Sequence, residues 1–539
     1  MMKLHRILFP VIVLIALFLR IYHIDQIPPS LSWDEVSIGY NAYSILKTGK
    51  DEHGRFLPLD TFIAYGDYKP PIPIYVTVPF VAVFGLTEFA VRLPVAILGT
   101  ATVFLTYYVV FLLFEHEKKK TVLALISTAV LACSPWHVNL SRAGFEAVIA
   151  LFFFVLCAFL FLKARKNRIY YYWSFLPLVA CMYTFNSARY IASLFGLLML
   201  WYVKDSIQLS KKEICSGVCI AFILLLPLIP HLLSAESRLR FKEVNIFSNV
   251  EIVKTANRRI EAAGNTIIAR IIHNRRVYYS LEFLRHYLHH FEANFLFIRG
   301  DGNPKFSTQD TGQLYIVEAP LLIIGILALL SRYPRIGGFL LLWLALAIIP
   351  AATARETPHA LRILNTLPTW QIFIGYGIVA LFSFVKTKNI RIGLGLIILG
   401  LYSFYIFSYL HTYHVHYPVE YSGEWQYGYR EAFRYAETVK NQYKKIVVTD
   451  YIGRPYAYAL FYGKYPPEEF WQTKDASFDA AGFYNVYAFG PYEFIRTSGS
   501  HWEPEVLYIL QPDAIPQGAK EVFRINLLNG KPVLVAFHI

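Results

Sequence analysis

The stretch Tyr68-Lys69-Pro70-Pro71-Ile72-Pro73-Ile74-Tyr75-Val76-Thr77-Val78-Pro79-Phe80-Val81-Ala82-Val83-Phe84 decides how the chain runs. Ile72–Phe84 is apolar enough to suggest a membrane span, yet Pro70, Pro71, Pro73 and Pro79 fit a broken, re-entrant or interfacial helix better. If it crossed, the basic connection Glu115–Lys120 would face outward and every later basic loop would invert. Short loops rich in Lys and Arg belong on the cytoplasmic side. With Ile72–Phe84 kept at the outer interface, Glu115–Lys120, Lys163–Arg168, Lys204–Glu213, Arg332–Arg335 and Lys386–Arg391 all join the N-terminus in the cytoplasm. The connections Ser134–Gly144, Thr184–Tyr190, Ser234–Gln313 and Ala351–Leu364 then face outward. Ser234–Gln313 carries many arginines, but long loops cross largely regardless of charge.

Working outward, apolar runs that can span lie near Ile7–Ile24, Arg92–Phe114, Thr121–Cys133, Phe145–Leu162, Tyr170–Tyr183, Ile191–Val203 and Ile214–Leu233. Four more follow near Leu314–Leu330, Ile336–Pro350, Leu367–Phe384 and Ile392–Leu410. The sequence therefore predicts a polytopic all-α membrane protein of about eleven transmembrane helices, with an outward C-terminus. Composition agrees: 56% of the 539 residues are hydrophobic and 16% charged, with a mean hydropathy of +0.41. A soluble protein is nearer a quarter charged. The net charge of +14 does not signal nucleic acid, because the basic residues sit mostly in short loops between apolar runs. The five cysteines, Cys133, Cys157, Cys181, Cys215 and Cys219, all lie in or beside apolar runs, so no disulfide framework is encoded in the polar regions. Lys3 and Arg6 followed by Ile7–Ile24 resemble a signal sequence without a small-residue cleavage site, which reads as an uncleaved anchor.

From His411 the character changes. Tyr429–Lys440 reads as an amphipathic helix and Lys445–Thr449 as a buried strand, with further strands at Asn485–Ala488, Val506–Leu510, Glu521–Ile525 and Pro532–Phe537. The expected organisation is a membrane core over 1–233 with a first outer loop at 25–91, a long outer loop at 234–313, membrane helices over 314–410, and a small soluble α/β domain over 411–539. Asp450-Tyr451-Ile452-Gly453-Arg454-Pro455 stands where a nucleotide-binding glycine fingerprint would be, and is not one.

Before Lys69 the first loop is acidic, and Ser32-Trp33-Asp34-Glu35 sets two adjacent carboxylates at the membrane surface behind Pro28-Pro29. Ionisable groups held against a bilayer are costly and often functional, and Trp33 can anchor the loop at headgroup level. A partly desolvated carboxylate there suits a general base acting on a hydroxyl. Asp34 can equally cap a helix beginning near Val36, and the two roles are compatible. Lys69 is a cation on a stiffened backbone; it can bind a lipid phosphate or snorkel to headgroups. Arg142 and Glu146 can form a local i,i+4 pair, although Glu146 heads an otherwise apolar helix, where a charge usually faces the protein interior. His286, His289 and His290 have helical spacing that can bind a metal, but Leu284, Tyr287, Leu288 and Phe291 make the stretch an interfacial amphipathic helix. Arg362, in Thr357-Pro358-His359-Ala360-Leu361-Arg362, can reach the surface of Lys69 or anchor its own helix.

In order, Asp34-Glu35, Lys69-Pro70-Pro71, Arg92-Leu93-Pro94, Ser134-Pro135…Ser141-Arg142…Glu146, the long loop after the seventh span and Pro358-His359-Ala360-Leu361-Arg362 resemble the membrane glycosyltransferases of the C-type fold. The likeness is to the group containing protein O-mannosyltransferases and lipid A aminoarabinose transferases, and it covers Met1 to about Leu410. It implies a sugar donor linked to a polyprenyl phosphate, and transfer outside the cytoplasm with inversion at the anomeric carbon. It implies that Asp34 is the base or acceptor-orienting group with Glu35 beside it, and that Lys69 contacts the carrier phosphate; the residues themselves add Arg142, or an arginine of the long loop, and Arg362 as candidate further phosphate ligands. Trp33, Tyr68, Arg92, His137, Glu146 and His359 would line the cavity. No cofactor or metal is demanded; a divalent metal is compatible with this chemistry but not indicated by the sequence. The implied partners are the donor, the bilayer, and a glycolipid, polysaccharide or protein acceptor. Ser37 stands where aminoarabinose transferases carry arginine, Tyr68 where the family is often acidic, and the C-terminal region is no β-trefoil. The resemblance thus gives a reaction class rather than an acceptor. Two rival readings are a flippase or transporter of polyprenyl-linked saccharides, which often shows internal repeats absent here, and an oligosaccharide ligase or oligosaccharyltransferase.

Overall fold

The structure, a computed structural model, describes residues 2–234, 237, 245–479, 482–496 and 502–539. It is mostly helical, with a sheet in the C-terminal region. The chain forms two compact units. One gathers Met1–Ala16, Gly99–Leu140 and Ala147–Tyr409; the other gathers Leu17–Leu98, Ser141–Glu146 and Leu410–Ile539.

Among the described residues, seven helices are long and apolar enough to cross a membrane: Glu88–Leu113, Glu146–Lys163, Asn186–Ile207, Lys211–Leu233, Pro334–Ala352, Leu364–Phe384 and Lys388–Glu420. The other four expected spans are helical too, at Met2–Ile21, Lys120–Ala132, Ile169–Ala180 and Glu318–Arg332. Within the first unit the helices Glu318–Arg332 and Thr369–Phe384 approach closely at two glycines. A Cβ on Gly325 would run into the Phe373 carbonyl, and one on Gly377 into the Leu321 carbonyl. Small residues at such crossings let backbones come together. The stretch expected as a long outer loop holds the helices Val250–Ala262, Ile267–Ile272 and Arg275–His289; its residues 235, 236 and 238–244 lie outside the described ones.

The second unit contains the first loop. Pro71–Phe84 is a 14-residue helix, about 21 Å long and too short for a hydrocarbon core of about 30 Å. Trp33–Thr48 is a helix capped by Ser32 and ended by Gly49 at φ 71°. This corrects the expected start near Val36 with Asp34 as cap. Ser32 and Glu35 form a capping box, in which each side chain serves the other's backbone N–H. Between these helices, β1 (Phe62–Ala64) and β2 (Asp67–Lys69) make an antiparallel hairpin in the register Phe62↔Lys69, Ile63↔Tyr68, Ala64↔Asp67. Its two-residue turn, Tyr65-Gly66, has both φ angles positive, at 57° and 90°, as a type I′ turn requires.

The C-terminal residues form a seven-stranded sheet from β3 (Lys445–Thr449), β4 (Asp475–Phe478), β5 (Tyr484–Phe489), β6 (Tyr492–Ile495), β7 (Val506–Leu510), β8 (Lys520–Asn526) and β9 (Pro532–His538). The order is β4-β5-β6-β3-β7-β9-β8. β3 runs parallel to both β6 and β7, and the outer pairs are antiparallel. The apolar runs of β3 and β7 are those of strands covered on both faces. One buried cluster joins this sheet to the first loop: Leu31, Val36, Tyr40, Phe62, Tyr65 and Ile74 pack in the same core as Tyr429, Phe433, Tyr458, Phe461, Phe470 and Leu534.

Candidate active site

The capping box turns the two adjacent carboxylates apart. Glu35 points inward and is fully buried. Its Oε1 accepts from Arg92 Nε at 2.7 Å and from the Gly144 N–H at 2.9 Å, and its Oε2 accepts from the Ser32 N–H at 2.9 Å. Arg92, equally buried, spends its remaining donors on the carbonyls of Ile24, Pro28 and Ser30. Gly144 has no room for a side chain, since a Cβ would lie 2.8 Å from Glu35 Cγ. Arg142 donates to the carbonyls of Leu19, Tyr22 and Ile27 at 2.6–3.1 Å and lies 5.2 Å over the Tyr413 ring. Glu35, Arg92 and Arg142 thus fasten the loop backbone. In these surroundings the Glu35 and Arg142 side chains are both fully buried.

Asp34 points the other way. Its Oδ1 lies 2.7 Å from Lys69 Nζ, and the same ammonium lies 3.4 Å from Asp67 Oδ2 and 3.7 Å from Glu146 Oε1. Side-chain exposure is 38% for Asp34, 22% for Asp67, 14% for Glu146 and 7% for Lys69. Asp34 is therefore the carboxylate of the group most open to an incoming hydroxyl. Burial works against the Lys69 ammonium, but Asp34, Glu146 and Asp67 outweigh it and hold its pKa well above the ordinary lysine value. The hairpin explains why Asp67 joins: residues 67 and 69 lie on one face of a strand, whose side chains alternate. Asp67 counted in the sequence only as one acid of an acidic loop. Tyr68, between them, points to the other face, and its N–H donates to Asp67 Oδ1. The Trp33 carbonyl accepts from Tyr65 Oη at 2.9 Å.

The remaining expected residues belong to the other unit. His137 is buried on the helix Pro135–Leu140. The His359 N–H donates to His290 Nε2 at 3.2 Å, and the His359 ring lies 3.9 Å from Asp301 Oδ2. Burial pushes His290 down to about 4 and His359 well below the ordinary histidine value, and raises Asp301 to about 6. Arg362 lies 3.8 Å from Glu356. The three histidines whose spacing can bind a metal are each engaged separately. His286 bonds to the Ala354 carbonyl and Glu282, His289 to Thr357, and His290 to the His286 carbonyl. Among the described residues no three His, Cys, Asp or Glu side chains converge as metal ligands.

Comparison with solved structures shows the same fold. ArnT from Cupriavidus metallidurans bound to undecaprenyl phosphate is 12% identical with a TM-score of 0.52, over 98% of this chain and 97% of that one. Archaeal oligosaccharyltransferase AglB from Archaeoglobus fulgidus, in complex with an inhibitory peptide and a dolichol-phosphate, is 12% identical with a TM-score of 0.50, over 85% of this chain and 63% of that one. The fold is the C-type fold of these two structures, as the resemblance implied. Residues 11–238 match the family model described as dolichyl-phosphate-mannose-protein mannosyltransferase. A curated Bacillus subtilis (strain 168) protein, YkcB, named as a candidate mannosyltransferase, is 29% identical over 162 residues. That similarity spans 29% of this chain and 21% of the relative's length.

Proposed function

We propose that the protein is an integral membrane glycosyltransferase. It moves a sugar from a polyprenyl-phosphate donor to an acceptor hydroxyl on the extracytoplasmic side, inverting the anomeric carbon, with Asp34 as base. The observation that carries this reading is the Asp34–Lys69 pair, 2.7 Å apart, with the acid partly exposed and the cation buried. The family-model match over residues 11–238 and the lipid phosphates in the similar structures support the donor class. In this reading Lys69 Nζ faces a phosphate oxygen and stabilises the charge that grows on it. The acceptor oxygen forms its bond to the anomeric carbon as the bond from that carbon to the phosphate oxygen breaks. The electron pair leaves with the polyprenyl phosphate, and the acceptor proton passes to Asp34. Glu35, Arg92 and Arg142 keep the loop in place without touching the reacting atoms.

The test is release of labelled sugar from polyprenyl-phosphate sugars in membranes holding wild type or Asp34→Asn. Losing a positioned base costs about 10²–10⁴-fold in rate, so the variant is expected to be nearly inactive while folding normally. Wild-type turnover by Asp34→Asn would remove Asp34 from the chemistry. Movement of intact donor across the bilayer, with no cleavage, would replace the enzyme by a transporter.

A further inference from the structure

The pair that carries the proposed reaction hangs from two short pieces of backbone. Asp34 follows Trp33 at the start of a helix, and Lys69 ends the hairpin whose turn is Tyr65-Gly66. Both pieces are gripped by one segment of the C-terminal region, the loop that leaves β3 and enters the helix Pro455–Tyr462. The Arg454 guanidinium lies 5.1 Å over the Tyr65 ring and 5.7 Å from the Phe483 ring, and also donates to the Tyr484 carbonyl. Tyr65, held under that cation, donates its hydroxyl to the Trp33 carbonyl, one residue before Asp34. Gly453 faces the Trp33 indole so closely that a Cβ there would lie 3.3 Å from Cζ3. Tyr458 Oη donates to the Leu31 carbonyl at 2.9 Å, on the other side of the Ser32 cap. Gly66 is pressed on the C-terminal region as well, with the Gly482 carbonyl 2.6 Å from where its Cβ would be.

Tyr65 and Arg454 share a second property. Both are left-handed, at φ 57° and 59°, a conformation that L side chains other than Asn and Asp rarely adopt and that surrounding structure must enforce. Each is the residue of its turn that reaches across to the other. Glycine would relax either backbone and remove the contact. The strained pair joins the Trp33 carbonyl, the hairpin turn and the C-terminal loop in one stack.

We propose that the Gly453-Arg454 loop is part of the reaction centre, acting through Tyr65 to hold Asp34 against Lys69. Tyr65 and Arg454 are positioning residues that touch neither donor nor acceptor. This rests on the glycosyltransferase reading above and extends it to the role of the C-terminal sheet. A displacement of about 1 Å at a reacting group can cost 10²-fold in rate, and a group that only positions lowers kcat without changing ground-state donor binding.

The experiment uses the purified full chain as wild type, Tyr65→Phe, Arg454→Met and Arg454→Lys. It measures kcat and KM for a polyprenyl-phosphate sugar, the melting temperature, and amide hydrogen exchange across residues 62–69. The expected result is a kcat lower by about 10- to 100-fold in Tyr65→Phe and Arg454→Met, an unchanged KM, an unchanged melting temperature and faster exchange in the hairpin. Arg454→Lys keeps a cation over the ring and recovers most of the rate. Wild-type kcat in both Tyr65→Phe and Arg454→Met would overturn the inference, whether or not exchange changes. So would a raised KM at unchanged kcat, or a rate loss that only follows a lower melting temperature. If even wild type releases no sugar while hairpin exchange rises in both variants, the glycosyltransferase reading fails and the grip on the Asp34–Lys69 pair stands.

Discussion

Lys69 is one ammonium shared by three carboxylates, and its burial makes that arrangement costly to disturb. Replacing it by alanine removes the cation that Asp34, Asp67 and Glu146 share. Loss of one preorganised charge-stabilising group costs about 10²–10³-fold in kcat, so Lys69→Ala should lose turnover by that factor in the sugar-release assay. Arg92 is a different case. Arg92→Met strands a buried Glu35 carboxylate, and breaking a buried pair typically costs about 3–5 kcal/mol. The expected outcome is a marked drop in melting temperature, partly recovered in Glu35→Gln/Arg92→Met. A third residue reports on pH. Glu52 is buried where the first loop meets the C-terminal sheet, with its N–H on Asn41 Oδ1 and the Asn41 amide on its carboxylate. Burial, only partly offset by groups such as Lys474, raises its pKa from 4.5 to about 7. A raised acid favours the folded state below the unfolded value, and that contribution is lost as pH climbs from about 4.5 through about 7. The loss is about 3–4 kcal/mol at most, so the melting temperature of wild type should fall across this window and that of Glu52→Gln should fall less. At this scale the sequence was half legible. Ser32-Trp33-Asp34-Glu35 was read for its two acids, yet it also spells a capping box. Neighbours on a helix face different ways, so only Asp34 reaches the site and Glu35 turns into the loop.

Strands and helices with long apolar patterns were readable, and short or turn-dependent ones were not. β3, β7 and β9 stood out because buried strands carry continuous apolar runs. β4 and β6 are four residues each, too brief to show a period, and β4 lies at the sheet edge. The hairpin that delivers Asp67 and Lys69 escaped notice because Tyr65-Gly66 lacks the Asn-Gly or Asp-Gly signature of its turn type. The three histidines had metal-like spacing, but periodicity cannot say which carbonyls and side chains will claim each ring. Among the helices, the glycine crossing of Glu318–Arg332 with Thr369–Phe384 gives a clean expectation. Gly325→Ala pushes a methyl group into the Phe373 carbonyl, an overpacking of about 1–3 kcal/mol. Gly338→Ala, with nothing near its added carbon, gains helix propensity at no steric cost. Melting temperatures of the two variants should move in opposite directions.

On the scale of the whole molecule, the unit that holds the site is drawn from three separated stretches of chain, Leu17–Leu98, Ser141–Glu146 and Leu410–Ile539. Sequence patterning marked a change of character at His411, but it could not show that the segment beyond shares a core with the first loop, because contacts so distant along the chain leave no local period. A chain ending after His411 would uncover Tyr40, Phe62 and Ile74, which are buried in that core. It should insert in membranes, release no sugar, and be cut by protease in the first loop where the full chain resists.

The same long-range assembly bears on how the protein is made. A ribosome delivers Asp34 and Lys69 early, well before the sheet that packs on them has been translated. β9, made after every expected span, lies between β7 and β8, and among the described residues β8 pairs in the sheet with β9 alone. Contacts so remote form late in folding. A nascent chain therefore carries its acid and its lysine into the bilayer unsupported, and a molecule stalled or clipped before β9 holds a reaction centre without its frame. On the reading proposed above, competence for sugar transfer arrives with completion of the sheet.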